Sequence, residues 1–94
     1  NSALTDFKSE AVTSRQREGD AHSMVGNANQ IEFFVIDANS GTTSNNFPVN
    51  SAGVLMNMNL YDSHFIHVFF PILSQKVYIE TQVNRGGWST WREI

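Results

Sequence analysis

Ninety-four residues with a formal charge of −3 and no cysteine describe one small domain without disulfide staples, Cys-zinc sites or thiol nucleophiles. The six Lys and Arg are scattered along the chain, so the clustered basic face that nucleic acid requires is missing. No apolar run is long enough to span a bilayer and no signal peptide is present, which argues against membrane insertion.

The chain begins with Asn1 rather than Met, which reads as a processed product or, preferably, a piece of something longer. Residues 1–30 hold seven of the fifteen charged residues but only five large apolar side chains: Leu4, Phe7, Val12, Met24 and Val25. Thr5 to Glu18 reads as a short helix, capped by Thr5 or Asp6, with Arg15 and Arg17 near its end and Gly19 as its stop. The 3-4 spaced positions 4, 7, 11, 14, 18, 21 and 25 carry Leu, Phe, Ala, Ser, Glu, Ala and Val. That is a poor heptad beyond its first turn. The segment reads as a polar stem or linker, with a short coiled-coil seam as the alternative.

Residues 31–94 read as strands. Ile31 to Asp37 alternates Ile31, Phe33 and Val35 against Glu32, Phe34 and Ile36, and residues 38–46 are polar and turn-rich enough to be a loop. Val54 to Leu60 sets Val54, Met56, Met58 and Leu60 against Asn57 and Asn59. Tyr61-Asp62-Ser63 turns the chain into His64 to Phe70, whose Phe65-Ile66-His67-Val68-Phe69-Phe70 run is apolar on both strand faces. Lys76 to Val83 alternates again, and Asn84-Arg85-Gly86-Gly87 turns into a final strand holding both tryptophans. The expected fold is mainly β: a small antiparallel meander of four to five strands, preceded by a short N-terminal helix or stem. A β unit of about sixty residues buries only about 60% of its unfolded surface. With no disulfide or recognisable metal site, the available support is self-association, and the doubly apolar run over 65–70 needs cover on both faces.

Signs of catalysis are sparse, and the chain is read as non-enzymatic and without a cofactor or metal. His64 and His67, with Asp62 and His22, are metal-ligand types, but strand residues three apart point to opposite faces. The Gly-rich phosphate-binding patterns are absent, and no local context singles out a serine. The aromatic residues are the better candidates for binding. Trp88 and Trp91, an odd number of residues apart on a strand, are expected on opposite faces, one in the core and one on a surface or interface. A Trp exposed beside Arg85 or Arg92 would stack on a sugar ring or a partner side chain; alternatively both indoles close a small core. Tyr61, on a turn, and Tyr78, on a polar strand face, are similar candidates. Gly86-Gly87 supplies the expected tight turn before the tryptophans.

These residues carry a family resemblance. Ile31-Glu32-Phe33-Phe34, Asn46-Phe47-Pro48, Gly53-Val54-Leu55, Tyr78, Arg85 and the closing Trp88-Ser89-Thr90-Trp91 together resemble the knob domain of R-type pyocin tail fibres, over roughly residues 30–94. Similar domains occur in tail-fibre, baseplate and minor structural proteins of phages and prophages. His64-Phe65-Ile66-His67 departs from the glutamine-led strand usual in that family. The resemblance implies a polar stem (1–30) before a knob-like domain (31–94), in a homotrimeric, non-catalytic module of a virion fibre or baseplate made in the bacterial cytoplasm. It would dock to other tail or baseplate proteins, or bind a bacterial surface glycan through Trp88, Trp91, Arg85, Tyr78 and Tyr61. The alternatives are an accessory domain of a phage polysaccharide depolymerase and a monomeric carbohydrate-binding module.

Overall fold

The structure, a computed structural model, describes residues 12–94. One six-stranded sheet runs in sequence order: β1 (Val12–Arg17), β2 (Ile31–Ile36), β3 (Gly53–Leu60), β4 (His64–Pro71), β5 (Tyr78–Gln82) and β6 (Arg92–Glu93). The four pairings from β2 to β6 are antiparallel, as a meander requires. β1 instead lies parallel to β2, with Val12 opposite Ile31 and Arg17 opposite Ile36.

Among the described residues, the N-terminal helix expected over Thr5–Glu18 is not formed. Val12–Arg17 is extended, and residues 1–11 lie outside the described residues. The strand count rises to six for the same reason. Local preference in this stretch is weak, because Val12 and Thr13 are β-branched and the helical apolar stripe is poor. The open edge of β2 offers a full row of backbone partners, and pairing with it outweighs a solvated helix. Arg15 and Arg17 gain further by lying 5.6 Å and 4.9 Å from the centre of the Phe34 ring.

A parallel pair needs a long crossover. Residues 18–30 provide it, lying across one face of the sheet with a single 3-10 turn (Ala21–Ser23) capped by the Asp20 side chain. Together with the loop after β2 and the C-terminal segment, this crossover forms a second layer. Ala21 and Met24 from the crossover and Phe47 from the loop pack with Phe34, Ile36, Leu55 and Phe69 of the sheet, and Val49 and Trp91 close over them.

The two faces of the sheet are used in an unusual way. Facing the cover are the apolar Phe34, Ile36, Leu55, Phe65 and Phe69, but also Glu32, Asn57, Asn59, His67 and Glu80, all buried. The opposite face carries Ile31, Phe33 and Val35 of β2, Val54, Met56, Met58 and Leu60 of β3, and Ile66, Val68 and Phe70 of β4. Side chains alternate across a strand, so the polar set turns inward and the apolar set outward. The inward asparagines act as fasteners for the crossover: Asn57 Nδ2 donates to the Val25 carbonyl at 2.8 Å, and Asn59 Nδ2 to the same carbonyl at 3.0 Å. Glu32 does the same from β2, accepting the Asn27 backbone N–H at 2.8 Å.

Gly26 sits in this seam with φ of 58°. A Cβ there would collide with the Glu32 carboxylate and crowd the Asn57 amide, so both conformation and space demand glycine. Replacing Gly26 with Ala is expected to cost about 2–4 kcal/mol of stability, from a strained left-handed residue and a displaced buried carboxylate. Urea unfolding measures this; an unchanged midpoint would show that the crossover is not seated as described.

Candidate functional site

The inner face of β4 presents Phe65, His67 and Phe69 in a row, and the C-terminal segment lays its two indoles over them. Trp88 lies 6.2 Å from the Phe65 ring and stacks on His67 at 4.4 Å; Trp91 lies 6.4 Å from His67 and 6.5 Å from Phe69. Both tryptophans thus belong to the same layer, contrary to the opposite-face expectation. The cause is the backbone: between β5 and β6 only the bridge from Gln82 to Trp88 is formed, so residues 83–91 do not alternate as a strand would. Both indoles are half-buried, and Trp91 Nε1–H donates to the Asn46 carbonyl at 2.7 Å.

His67 is the hinge of this arrangement. It is fully buried, and its Nε2 lies 2.8 Å from the Met24 carbonyl of the crossover. Its Nδ1 lies 3.0 Å from Glu80 Oε2, across the β4–β5 pairing that sets these two residues opposite each other. The second carboxyl oxygen, Glu80 Oε1, lies 2.9 Å from His22 Nε2 on the 3-10 turn. His22 also stacks on Trp88, at 4.8 Å with the two rings nearly parallel. The order from the surface inward is His22, Glu80, His67, Met24 carbonyl.

Hydrogen-bond logic fixes the protons. A carbonyl only accepts, so His67 Nε2 carries a hydrogen. Between His67 Nδ1 and Glu80 Oε2 there must then be one proton, on one side or the other. Burial pushes the Glu80 carboxyl up to about 7; the His22 hydrogen bond and charge pull it back, while the Asp20 charge adds to the rise. Burial likewise drives the His67 imidazole down to about 4, against the raising effect of its bond to the Met24 carbonyl. Both directions favour the proton on the carboxyl; with it there, a neutral acid donates to a neutral imidazole and every polar atom of the pair is satisfied.

The other candidates expected from the sequence spread over the molecule. Arg85 is exposed and pairs with Asp62 at 2.7 Å, tying the β3–β4 turn to the turn after β5, with its guanidinium 5.8 Å from the Phe65 ring. Tyr61 projects from the β3–β4 turn at 78% exposure. Tyr78 lies half-buried at the start of β5, opposite Phe69. The structure groups Trp88 with Trp91 on β4, and Arg85 with Asp62, next to Tyr61, at one end of the sheet. It does not gather the five residues into one patch. His64 and His67 do face opposite ways as strand parity requires: His64 Nδ1 accepts the Asn84 N–H at 3.1 Å. What sequence reasoning missed is the role of Glu80 and its meeting with His22, 58 positions away. No local signal marked it, since Glu80 shares a polar strand face with Lys76, Tyr78 and Gln82, and His22 lies in a segment read as a stem.

A cleft of about 320 Å³ opens over this array, lined among others by His22, Glu80, Asn46, Thr90 and Trp91. Its most polar groups already have internal partners, since both Glu80 oxygens are bonded and Asn46 Nδ2 donates to Asp20 Oδ1 at 2.8 Å. A second cleft, of about 390 Å³, lies at one end of the outward face between Ile31, Met58, Leu60, Tyr61 and Ile66. A scan against family models and searches of curated proteins and of solved structures return no match to this chain.

Truncating His67 to Ala would leave both the Met24 carbonyl and Glu80 without a partner and open a void beneath two indoles. A loss of about 3–5 kcal/mol is expected in chemical unfolding. Trp91→Phe, which removes only the bond to the Asn46 carbonyl and part of the ring, should cost about 1–2 kcal/mol. A His67→Ala variant as stable as the parent would rule out the array as a structural element.

Proposed function

We propose that this chain is a self-associating, non-catalytic module of a phage tail fibre or baseplate protein. As a homotrimer it docks to tail components or attaches the virion to a bacterial surface glycan. The observation that carries the reading is the outward face of the sheet. Ile31, Val35, Leu60 and Phe70 are between 37% and 50% exposed there, and the outward positions of β2, β3 and β4 named above hold no Asp, Glu, Lys or Arg. Three strands spaced about 4.8 Å apart, each about seven residues long at about 3.3 Å per residue, give a face of roughly 330 Å². An apolar patch of that order, unbroken by charge, is large enough to serve as a contact surface.

The inner layer points the same way. The polar side chains that a lone sheet would show to solvent are here committed inward, with Asn57, Asn59, Glu32, Glu80 and His67 fastening the crossover. The apolar outward side is thus what the chain offers to copies of itself. A closed cyclic arrangement would cover that surface on every copy, and three linked binding sites would raise weak glycan contacts by avidity. The residues that resemble the pyocin knob add independent weight: Gly53-Val54-Leu55 opens β3, and Trp88-Ser89-Thr90-Trp91 supplies the indoles over β4. Both indoles spend ring surface on imidazole and phenyl neighbours. Among the described residues Tyr61 is the most exposed aromatic, and neither indole is free to serve as an open platform, which favours an assembled module over a monomeric one with an indole platform.

Sedimentation equilibrium at micromolar concentration is expected to give the trimer mass. Met56→Glu, at the centre of the outward face, should yield monomers whose near-UV circular dichroism from the Trp–His stack is preserved. A parent protein that stays monomeric, or a Met56→Glu variant that remains trimeric, would overturn the assembly reading.

A further inference from the structure

We infer that the His22–Glu80–His67 array is a one-proton clasp, which holds the crossover segment on the sheet while the proton between Glu80 and His67 is present and loosens it when that proton leaves. The array lies in the interior of one copy, so its behaviour does not depend on how copies assemble. The crossover is tied to β4 and β5 at two side-chain points in this region, His67 Nε2 to the Met24 carbonyl and His22 Nε2 to Glu80 Oε1. Both run through the same carboxyl, because the orientation of His67 is set by its Nδ1 contact with Glu80 Oε2.

Removal of the proton breaks this logic. A carboxylate oxygen would then face the bare Nδ1 lone pair at 3.0 Å. The imidazole relieves that contact only by moving its hydrogen from Nε2 to Nδ1, which strips the buried Met24 carbonyl of its donor. Either outcome weakens the attachment of Met24, a fully buried member of the core. The 3-10 turn it follows keeps its other ties: Ala21 in the core, Asp20 as cap and acceptor from Asn46 Nδ2, and Ser23 Oγ donating to the Asp20 carbonyl at 2.7 Å. Asn57 and Asn59 hold Val25 beyond it, so the loss loosens the segment without releasing it.

The groups that face Glu80 come from every neighbouring element. His67 lies on β4, His22 on the crossover, and Asp20 at the cap of its turn; Arg92 of β6 lines a shallow cleft shared with Glu80. A raised carboxyl, moving from 4.5 to about 7, favours the closed form most at low pH and loses that contribution as pH climbs between the two values. A lowered imidazole, moving from 6.5 to about 4, favours the closed form most at high pH and loses its contribution as pH falls between them. From 4.5 to 6.5 the two slopes oppose and cancel. Above 6.5 the carboxyl alone remains, so opening rises by about threefold and then levels off.

The test uses the whole chain. Carbon-13 and nitrogen-15 NMR would follow the Glu80 carboxyl and the His67 ring from about pH 5 to 9, with hydrogen exchange read at the Ser23 and Met24 amides. Expected are a Glu80 midpoint near 7 and a His67 that stays a neutral Nε2–H tautomer down to about pH 5. Crossover opening should increase about threefold between about pH 5.5 and 8 after correction for base catalysis. Glu80→Gln, whose amide donates to Nδ1 and accepts from His22 without titrating, should remove the rise. A shared proton that does not leave the Glu80–His67 pair between about pH 5 and 9, or the same exchange profile in parent and Glu80→Gln, overturns the clasp. Should Glu80→Gln fail to fold, the parent titration decides alone.

Discussion

A carboxyl group removed from water must have its proton and its lone pairs accounted for, and Glu80 sets that condition for the whole inner layer. Desolvating it as an anion would cost several kcal/mol; as an acid it needs one acceptor and one or two donors. His67 is the acceptor and His22 a donor. To be the acceptor at Nδ1, His67 must give its other nitrogen a carbonyl, and Met24 brings one from the crossover. Three elements distant in sequence are therefore fixed by one proton, and the indoles of Trp88 and Trp91 shield the group from water by stacking on its rings.

The same principle extends along the sheet. Buried polar groups are stabilising only when paired. Here Glu32, Asn57, Asn59 and His67 are paired with the backbone of the segment lying above them, and Glu80 with the His22 side chain of that segment. Asn57 and Asn59 hold Val25, and Glu32 holds Asn27. A crossover without regular structure would otherwise carry unsatisfied amides over a sheet face. The side chains of β2 and β3 serve it in place of the hydrogen bonds a helix would make for itself. Within this seam, Asn57 Oδ1 is the buried side-chain atom among the described residues that lacks a partner.

Much of the strand pattern was legible. The alternations over 31–37 and 54–60 and the short, doubly apolar run over 64–70 between turns locate β2, β3 and β4 to within a residue or two. The loop over 38–46 followed from its polar, turn-rich composition. Other features were not legible, for identifiable reasons. β1 owes its form to the free edge of β2, a tertiary partner that no local pattern announces. The turn before the tryptophans reads as a glycine turn, yet the left-handed residues are Asn84 and Arg85, with φ of 52° and 54°. Asparagine tolerates that region, and Arg85 is held there by Asp62 and by its backbone bond to Ser63. That turn redirects the chain, and so Trp88 and Trp91 share a layer. Of the site, His67 was legible only as facing away from His64; its burial was not, because its partners come from β5 and from a segment read as a linker.

Which face of an amphipathic strand turns inward is normally settled by hydrophobicity, and here it is not. Asn57 and Asn59 are inside, while Met56 and Met58 are outside. The inner core is correspondingly modest, with Phe34, Phe65 and Phe69 as its largest members. Each large apolar side chain taken fully from water adds about 1.5–3 kcal/mol, and the outward face leaves many of these contributions unrealised in a single copy. In an assembly that covers this face, folding and association draw in part on the same surface and are coupled. Stability would then depend on protein concentration, with the proton-linked inner layer giving each copy its shape and the outer layer supplying much of its apolar burial.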